Sequence, residues 1–278
     1  MRQLLFFALS IAILWSCDLE KEIEIQLPDY EPSIVVECYL EPDQPFALLL
    51  TESTPYFEPF PDDISDYLDA TLLDSAEVEI LHKGTIYSLQ NQLFFDPVKQ
   101  KIYNYYLPVS VPYDTDSPFE LRITTKDGRT IEASTKLLPR VAIDSIVVEF
   151  QENDTLARLL TYFTDPPEQE NYYRRMLHEE SLDSTARQDF PTDDRIFNGD
   201  VVFGTTFDFS EGTVVFNTLY HIDEDYYKFL ESVNGAINAS LNPFAQPSSI
   251  ISNVTGTGNP IGIFTGLVYD RVETIIQR

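Results

Sequence analysis

The residues in this chain best suited to chemistry are carboxylates. Asp189, Asp193, Asp194, Asn198 and Asp200 crowd one polar stretch, and calcium draws its oxygen ligands from such loops. The Asp-x-Asp-x-Asp-Gly spacing of a dedicated calcium loop is missing. A solvated acidic loop is therefore the plainer reading, with Asp193, Asp194, Asn198 and Asp200 kept as candidate calcium ligands and no other cofactor expected. A glycosidase would need two carboxylates about 5–10 Å apart, a distance that sequence spacing does not report. The three histidines, His82, His178 and His221, have no partner at metal-ligand spacing, and neither H-E-x-x-H nor C-x-x-C occurs. No G-x-S-x-G elbow, G-x-G-x-x-G or P-loop is present. The expectation is a protein that is not an enzyme, with a surface hydrolase as the remotest alternative.

Aromatic residues offer a different chemistry, stacking on a sugar or a peptide. Tyr56, Phe57 and Phe60 fall in a proline-rich stretch, and Tyr103, Tyr105 and Tyr106 form a second group. In a strand Tyr103 and Tyr105 share one face and Tyr106 takes the other, so part of that group belongs to a core. The stretch holding Tyr56, Phe57 and Phe60 is the better binding candidate, because loops carry function.

Cys17 carries the clearest signal. After Arg2, the run from Leu4 to Trp15 is apolar except for Ser10. A spanning helix needs about 20 apolar residues, whereas this run has the length of a signal-peptide core, about 7–15. Leu14-Trp15-Ser16-Cys17 then resembles a bacterial lipobox, in which the cysteine is acylated and becomes the mature N-terminus. Residues 1–16 read as a lipoprotein signal peptide. Residues 17–32, with Asp18, Glu20, Glu22 and Glu24, read as an acidic tether. The membrane would be met through the lipid alone, since two or more acyl chains anchor stably.

The charge balance supports this. The chain has 46 acidic against 18 basic residues, a formal net charge of −28. Nucleic acid is excluded as a partner, because phosphate recognition needs Lys/Arg clusters, and an anionic lipid surface would repel such a chain. Cys38, the other cysteine, sits in a strand-like run and reads as a buried, inert thiol.

The elements that must position these residues are mainly strands. Tyr (16) and Phe (19) are abundant and Gly (10) is scarce, a balance that suits pleated faces. Strands are expected at 33–40, 46–52, 76–82, 85–90, 102–107, 119–125 and 130–136. Phe119, Leu121 and Ile123 alternate with polar residues, and Asp127-Gly128 marks a hairpin. These define a β-sandwich over 33–139, with residues 53–75 left as a loop and no helix in that half. Residues 140–278 read as a second β-rich domain, with a polar loop at 183–195 and a closing strand near 263–269. One helix is expected there, over 223–239. Its apolar residues Tyr226, Phe229, Leu230, Val233 and Ile237 recur at helical spacing behind an Asp223 cap.

Several segments together resemble one family. These are Pro32-Ser33-Ile34-Val35-Val36-Glu37, Thr54-Pro55-Tyr56-Phe57, Phe163-Thr164-Asp165-Pro166-Pro167, Asn171-Tyr172-Tyr173-Arg174, Asn242-Pro243-Phe244-Ala245-Gln246-Pro247 and Gly262-Ile263-Phe264-Thr265-Gly266. In order and spacing they are similar to Bacteroidetes outer-membrane lipoproteins of unknown function (DUF4249-like), typically encoded beside TonB-dependent receptors. The resemblance implies an immunoglobulin- or transthyretin-like sandwich at the N-terminus. It further implies a cell-surface, lipid-anchored accessory or ligand-capture partner of a TonB-dependent receptor in nutrient uptake. An independent carbohydrate- or peptide-binding module is the alternative.

Overall fold

The computed structural model describes residues 30–55, 61, 63–152, 155–167, 169–195, 199–240 and 249–278. Cys17, Tyr56, Phe57, Phe60 and Asn198 lie outside the described residues, as do the expected signal peptide and nearly all of the tether.

The first half runs β1 (Ile34–Leu40), β2 (Pro45–Glu52), α1 (Ile64–Thr71), β3 (Glu77–His82), β4 (Thr85–Asp96), β5 (Lys101–Ser110), β6 (Phe119–Thr124) and β7 (Thr130–Thr135). The second half opens with β8 (Ile143–Phe150), β9 (Leu156–Thr164), β10 (Tyr172–Glu179), β11 (Gln188–Asp193), β12 (Asp200–Gly204) and β13 (Phe209–Ser210). It closes with β14 (Val214–Ile222), α2 (Glu224–Ser240), β15 (Thr255–Gly256), β16 (Ile261–Gly266) and β17 (Val268–Ile275). The chain is mainly β, as its aromatic-rich, glycine-poor composition predicts.

A nine-stranded sheet has the order β15-β7-β6-β3-β4-β5-β2-β1-β16. Its long strand β4 pairs with β3 through Thr85–Leu89 and with β5 through Gln90–Asp96, with a register shift between Asn91 and Phe94. One strand thus serves both halves of the sheet, and the halves enclose a common core. Strict alternation builds that core: Ile34, Val36, Cys38 and Leu40 point in, while Val35, Glu37 and Tyr39 point out. The Cys38 thiol is fully buried, and burial pushes its pKa up, as an inert thiol requires.

Two four-stranded sheets make up the rest. One has the order β11-β10-β14-β17; the other centres on β9, flanked by β12, β13 and β8. They face each other across Phe163, Tyr173 and Leu219 in one apolar cluster and Leu159, Leu177 and Phe209 in another.

The structure departs from the sequence reading in four places. Residues 64–71, read as loop, form α1, whose cap Asp63 accepts from the Ser65 N–H at 2.8 Å; eight residues are too few to show a helical apolar stripe. Residues 188–193, also read as loop, form the edge strand β11, where Pro191 is tolerated because one side needs no hydrogen bond. The closing strand is two strands joined at Leu267. Its N–H donates to Leu40 O at 2.8 Å, so the chain passes from the first sheet to the second within one residue. The division at 139/140 is crossed by that return: β16 pairs in parallel with β1, and β15 pairs with β7. A parallel partner far away in sequence leaves no local signal.

Candidate functional site

Alternation on two sheets and one helical face converge on a single cleft of about 730 Å³, within the usual size range of ligand pockets. The outer face of β1 contributes Glu37 and Tyr39, with Glu41 just beyond it, and the turn and start of β5 add Lys99, Lys101 and Tyr103. From the second sheet come Arg174, Met176 and His178 on β10, Tyr220 on β14 and Arg271 on β17. Each is the outward neighbour of a residue buried against the third sheet, such as Tyr173, Arg175 and Leu177. Helix α2 adds Tyr226, Phe229, Leu230 and Val233, spaced i, i+3, i+4 and i+7.

Asp223 fixes that helix. Its carboxylate accepts from the Tyr226 N–H at 2.7 Å, the capping contact. Its other oxygen accepts from Thr135 at 3.1 Å on β7 and Thr265 at 3.0 Å on β16. One side chain therefore joins the helix start to both ends of the first sheet. Burial raises the Asp223 pKa, against the pull of these donors.

Within the cleft most charges are paired. Arg174 donates to Asp189 through Nε at 2.7 Å and Nη2 at 2.6 Å, a bidentate pair, and its Nη1 reaches the Tyr226 hydroxyl. Lys99 sits 2.6 Å from Glu41, and Lys101 pairs with Glu37. Arg271 differs. Its Nε donates to the Thr218 hydroxyl at 2.8 Å and its guanidinium lies 4.6 Å from the Tyr269 ring centroid. Among the described residues it forms no ion pair. Burial pushes the Tyr226 phenol up to about 12 and the Tyr39 and Tyr220 phenols upward too, so all three rings remain neutral donors at physiological pH.

His178 is 8% exposed and its Nδ1 has no hydrogen-bond partner among the described residues. Burial first, then the nearby Arg271, lowers its pKa, with Asp189 opposing. Ser184 lines the same cleft, but its hydroxyl donates to Ser181 O at 2.6 Å and Glu179 O at 3.1 Å. The nucleophile-to-base contact that a hydrolase requires is not formed between them.

The acidic residues singled out from sequence do not converge. Asp193 faces Arg195 at 2.6 Å and accepts from the Tyr227 hydroxyl at 3.1 Å. Arg195 holds the Asp193 carboxyl below its usual range. Asp194 accepts from the Asn171 backbone N–H at 2.7 Å and its side-chain amide at 3.2 Å. Asp200 is exposed at the start of β12, opposite Thr164. Asp189 belongs to the cleft. Among the described residues no group of three or more His, Cys, Asp or Glu is arranged to hold a metal ion. Of the tyrosine group, Tyr105 is core, donating to Leu73 O at 3.0 Å, Tyr106 stacks on Phe94, and Tyr103 reaches the cleft.

The segments around Asp165 and Asn171 build a buried network. Tyr173 donates to Asp165 at 2.5 Å, and the His221 ring nitrogens lie 2.8 Å from Pro139 O and 3.2 Å from Asn171 Oδ1. Its bonds tie β10 and β14 to the segment leaving the first sheet, a positioning role. Sequence reasoning did not single out Arg174 or Arg271 as site residues, and read His178 only as a histidine without a partner at metal-ligand spacing. A signal did exist: basic residues are so few here that each one in a strand is informative.

A mainly β protein with an aromatic, cation-bearing cleft between two sheets is the class these features define. The chain belongs to the DUF4249 family: the model described as a domain of unknown function matches residues 20–271. No curated protein matches it.

Proposed function

We propose that this chain is a non-enzymatic, lipid-anchored outer-membrane protein that captures a ligand beside a TonB-dependent receptor. The observation that carries the ligand-capture role is the cleft, whose tyrosines, paired cations and apolar helical face suit binding rather than bond cleavage. The lipobox-like run ending at Cys17 and the acidic residues behind it support the anchor. Mass spectrometry of the mature protein is expected to find an acylated Cys17 at the N-terminus; a bare thiol there removes the anchor. Mild-detergent purification of the tagged protein is expected to bring down a TonB-dependent receptor, identified by its peptides. Repeated recovery without any receptor overturns the partnership.

A second reading, an independent carbohydrate- or peptide-binding module, draws on Tyr39 and Tyr220, half-buried rings with hydroxyl tips that suit stacking. It predicts glycan- or peptide-array signals that fall in Tyr220→Ala and do not depend on a receptor.

A further inference from the structure

The charges of the cleft do not cancel. Three cations, Lys99, Lys101 and Arg174, pair with Glu41, Glu37 and Asp189, and Lys99 also lies 3.7 Å from Asp96. The fourth, Arg271, has a hydroxyl and an aromatic face instead of a carboxylate. In a chain with 46 acidic residues and 18 basic ones, a half-buried arginine left without a carboxylate is against the odds of composition. Leaving a guanidinium without a counter-charge in a partly dehydrated site costs free energy, more so as water is excluded.

On the cleft face of the second sheet, Asp189, Met176, Thr218 and Arg271 form one row across four strands. His178, Phe216 and the exposed Glu273 form the next row, with His178 two strands away from Arg271. His178 is more than nine-tenths buried in the cleft wall, and its Nδ1, itself closed to solvent, has no partner among the described residues, so Arg271 is the polar group left to answer a ligand's charge. The same cleft is lined by the apolar face of α2: Phe229, Leu230 and Val233.

We propose that the cleft takes a small organic carboxylate with an apolar body, its carboxylate at Arg271 and its apolar part against Phe229, Leu230 and Val233. The proposal rests on the cleft being the ligand site. Arg271 supplies the charge, through whichever guanidinium N–H groups Thr218 does not occupy. The paired cations keep the rest of the cleft near neutrality, so a second anionic group on the ligand would have no partner. Specificity for one carboxylate follows from that count.

Isothermal titration calorimetry on the full chain in nanodiscs tests this with three probes: 4-phenylbutyrate, hexanoate and 4-phenylbutan-1-ol. The two carboxylates differ only in an aromatic or aliphatic body, and the alcohol keeps the body without the charge. The expected result is binding of at least one carboxylate at least tenfold tighter than the alcohol, with Arg271→Gln removing that advantage. Val233→Trp, which fills the apolar side, is expected to abolish all binding while the thermal midpoint stays within a few degrees. Two results would overturn the assignment, and they differ. Equal binding of alcohol and carboxylates, unchanged by Arg271→Gln but lost in Val233→Trp, keeps the cleft as a ligand site and refutes the carboxylate. Affinities that neither Arg271→Gln nor Val233→Trp alters, or no binding of any probe, refute both the carboxylate and the use of this cleft for small apolar ligands.

Discussion

Inside the first sheet, Phe46, Leu48, Tyr105, Phe119 and Phe264 pack without measurable exposure. Asn104, a buried polar side chain beside them, behaves as backbone: it accepts from Leu50 N–H at 2.8 Å and donates to Leu50 O at 2.9 Å. Between the second and third sheets the interior is different. Arg175, fully buried, lies with Thr161 and Asn217 at positions intervening between two apolar clusters. Its Nη2 donates to Thr161 Oγ1 at 2.9 Å, Nε lies 3.4 Å from Asn217 Oδ1, and Nη1 has no partner among the described residues. The first interior is held mainly by apolar area, with Asn104 and the Tyr105 hydroxyl tied to backbone groups. The second surrenders some of that area to a polar band, and a polar band fixes which residues may face each other. Its stabilisation per residue should accordingly be smaller and its sensitivity to substitution of a different sign.

The sharpest way to break this contrast is in the first interior. Phe46 is fully buried and stacked 4.6 Å from Tyr87. Phe46→Ala should cost about 3–5 kcal/mol, read as a lowered urea midpoint at unchanged slope. A loss below about 1 kcal/mol would mean that this core closes over the cavity and is less tightly packed than its burial says.

The seam where the first sheet receives its last strand comes next. Gly262 has φ +135°, and a Cβ there would lie 1.9 Å from Val36 O. No rotamer relieves that contact, because both partners are backbone. Gly262→Ala should cost about 3 kcal/mol or more and should loosen β16 from β1. Hydrogen exchange at Ile263–Thr265 would report it, and protection equal to wild type would refute it.

Asp223→Ala should cost about 1–2 kcal/mol, the usual loss of a helix cap, while Thr135 and Thr265 lose their acceptor. Because α2 forms one wall of the cleft, the same variant should weaken ligand binding. Asp223→Asn, which keeps a capping oxygen, should recover most of both.

How much of this was legible follows from the same physics. Alternation at Phe119–Ile123 and helical spacing from Tyr226 to Val233 are local, and both elements lie where the sequence puts them. The cleft is not local. Its residues lie on β1, the β4–β5 turn, β10, β14, α2 and β17, and what unites them is pairing between strands far apart in sequence, β1 with β16 above all. The Tyr226–Val233 stripe was readable as buried, but nothing in the sequence says that part of it borders open space. Asp189 was singled out as an acidic loop residue, yet its role follows from standing opposite Met176 and beside Arg174, a cross-strand fact.

The smallest expected change bears most on the second interior. Arg175 has no carboxylate partner there, so replacing it leaves no orphaned countercharge, unlike the breaking of a buried ion pair. Asn217 still donates to Thr161 when the guanidinium is gone. Arg175→Met should therefore leave stability within about 1 kcal/mol of wild type, on the gaining side, since a desolvated charge gives way to apolar contact with both flanking clusters. Burial disfavours the charged guanidinium and lowers the Arg175 pKa, which is the cost that Arg175→Met removes. A loss of more than about 2 kcal/mol on substitution, read as a lowered urea midpoint, would mean that the guanidinium is answered by a counter-anion held in the interior. In that event the polar band would be a source of stability rather than a concession to specificity.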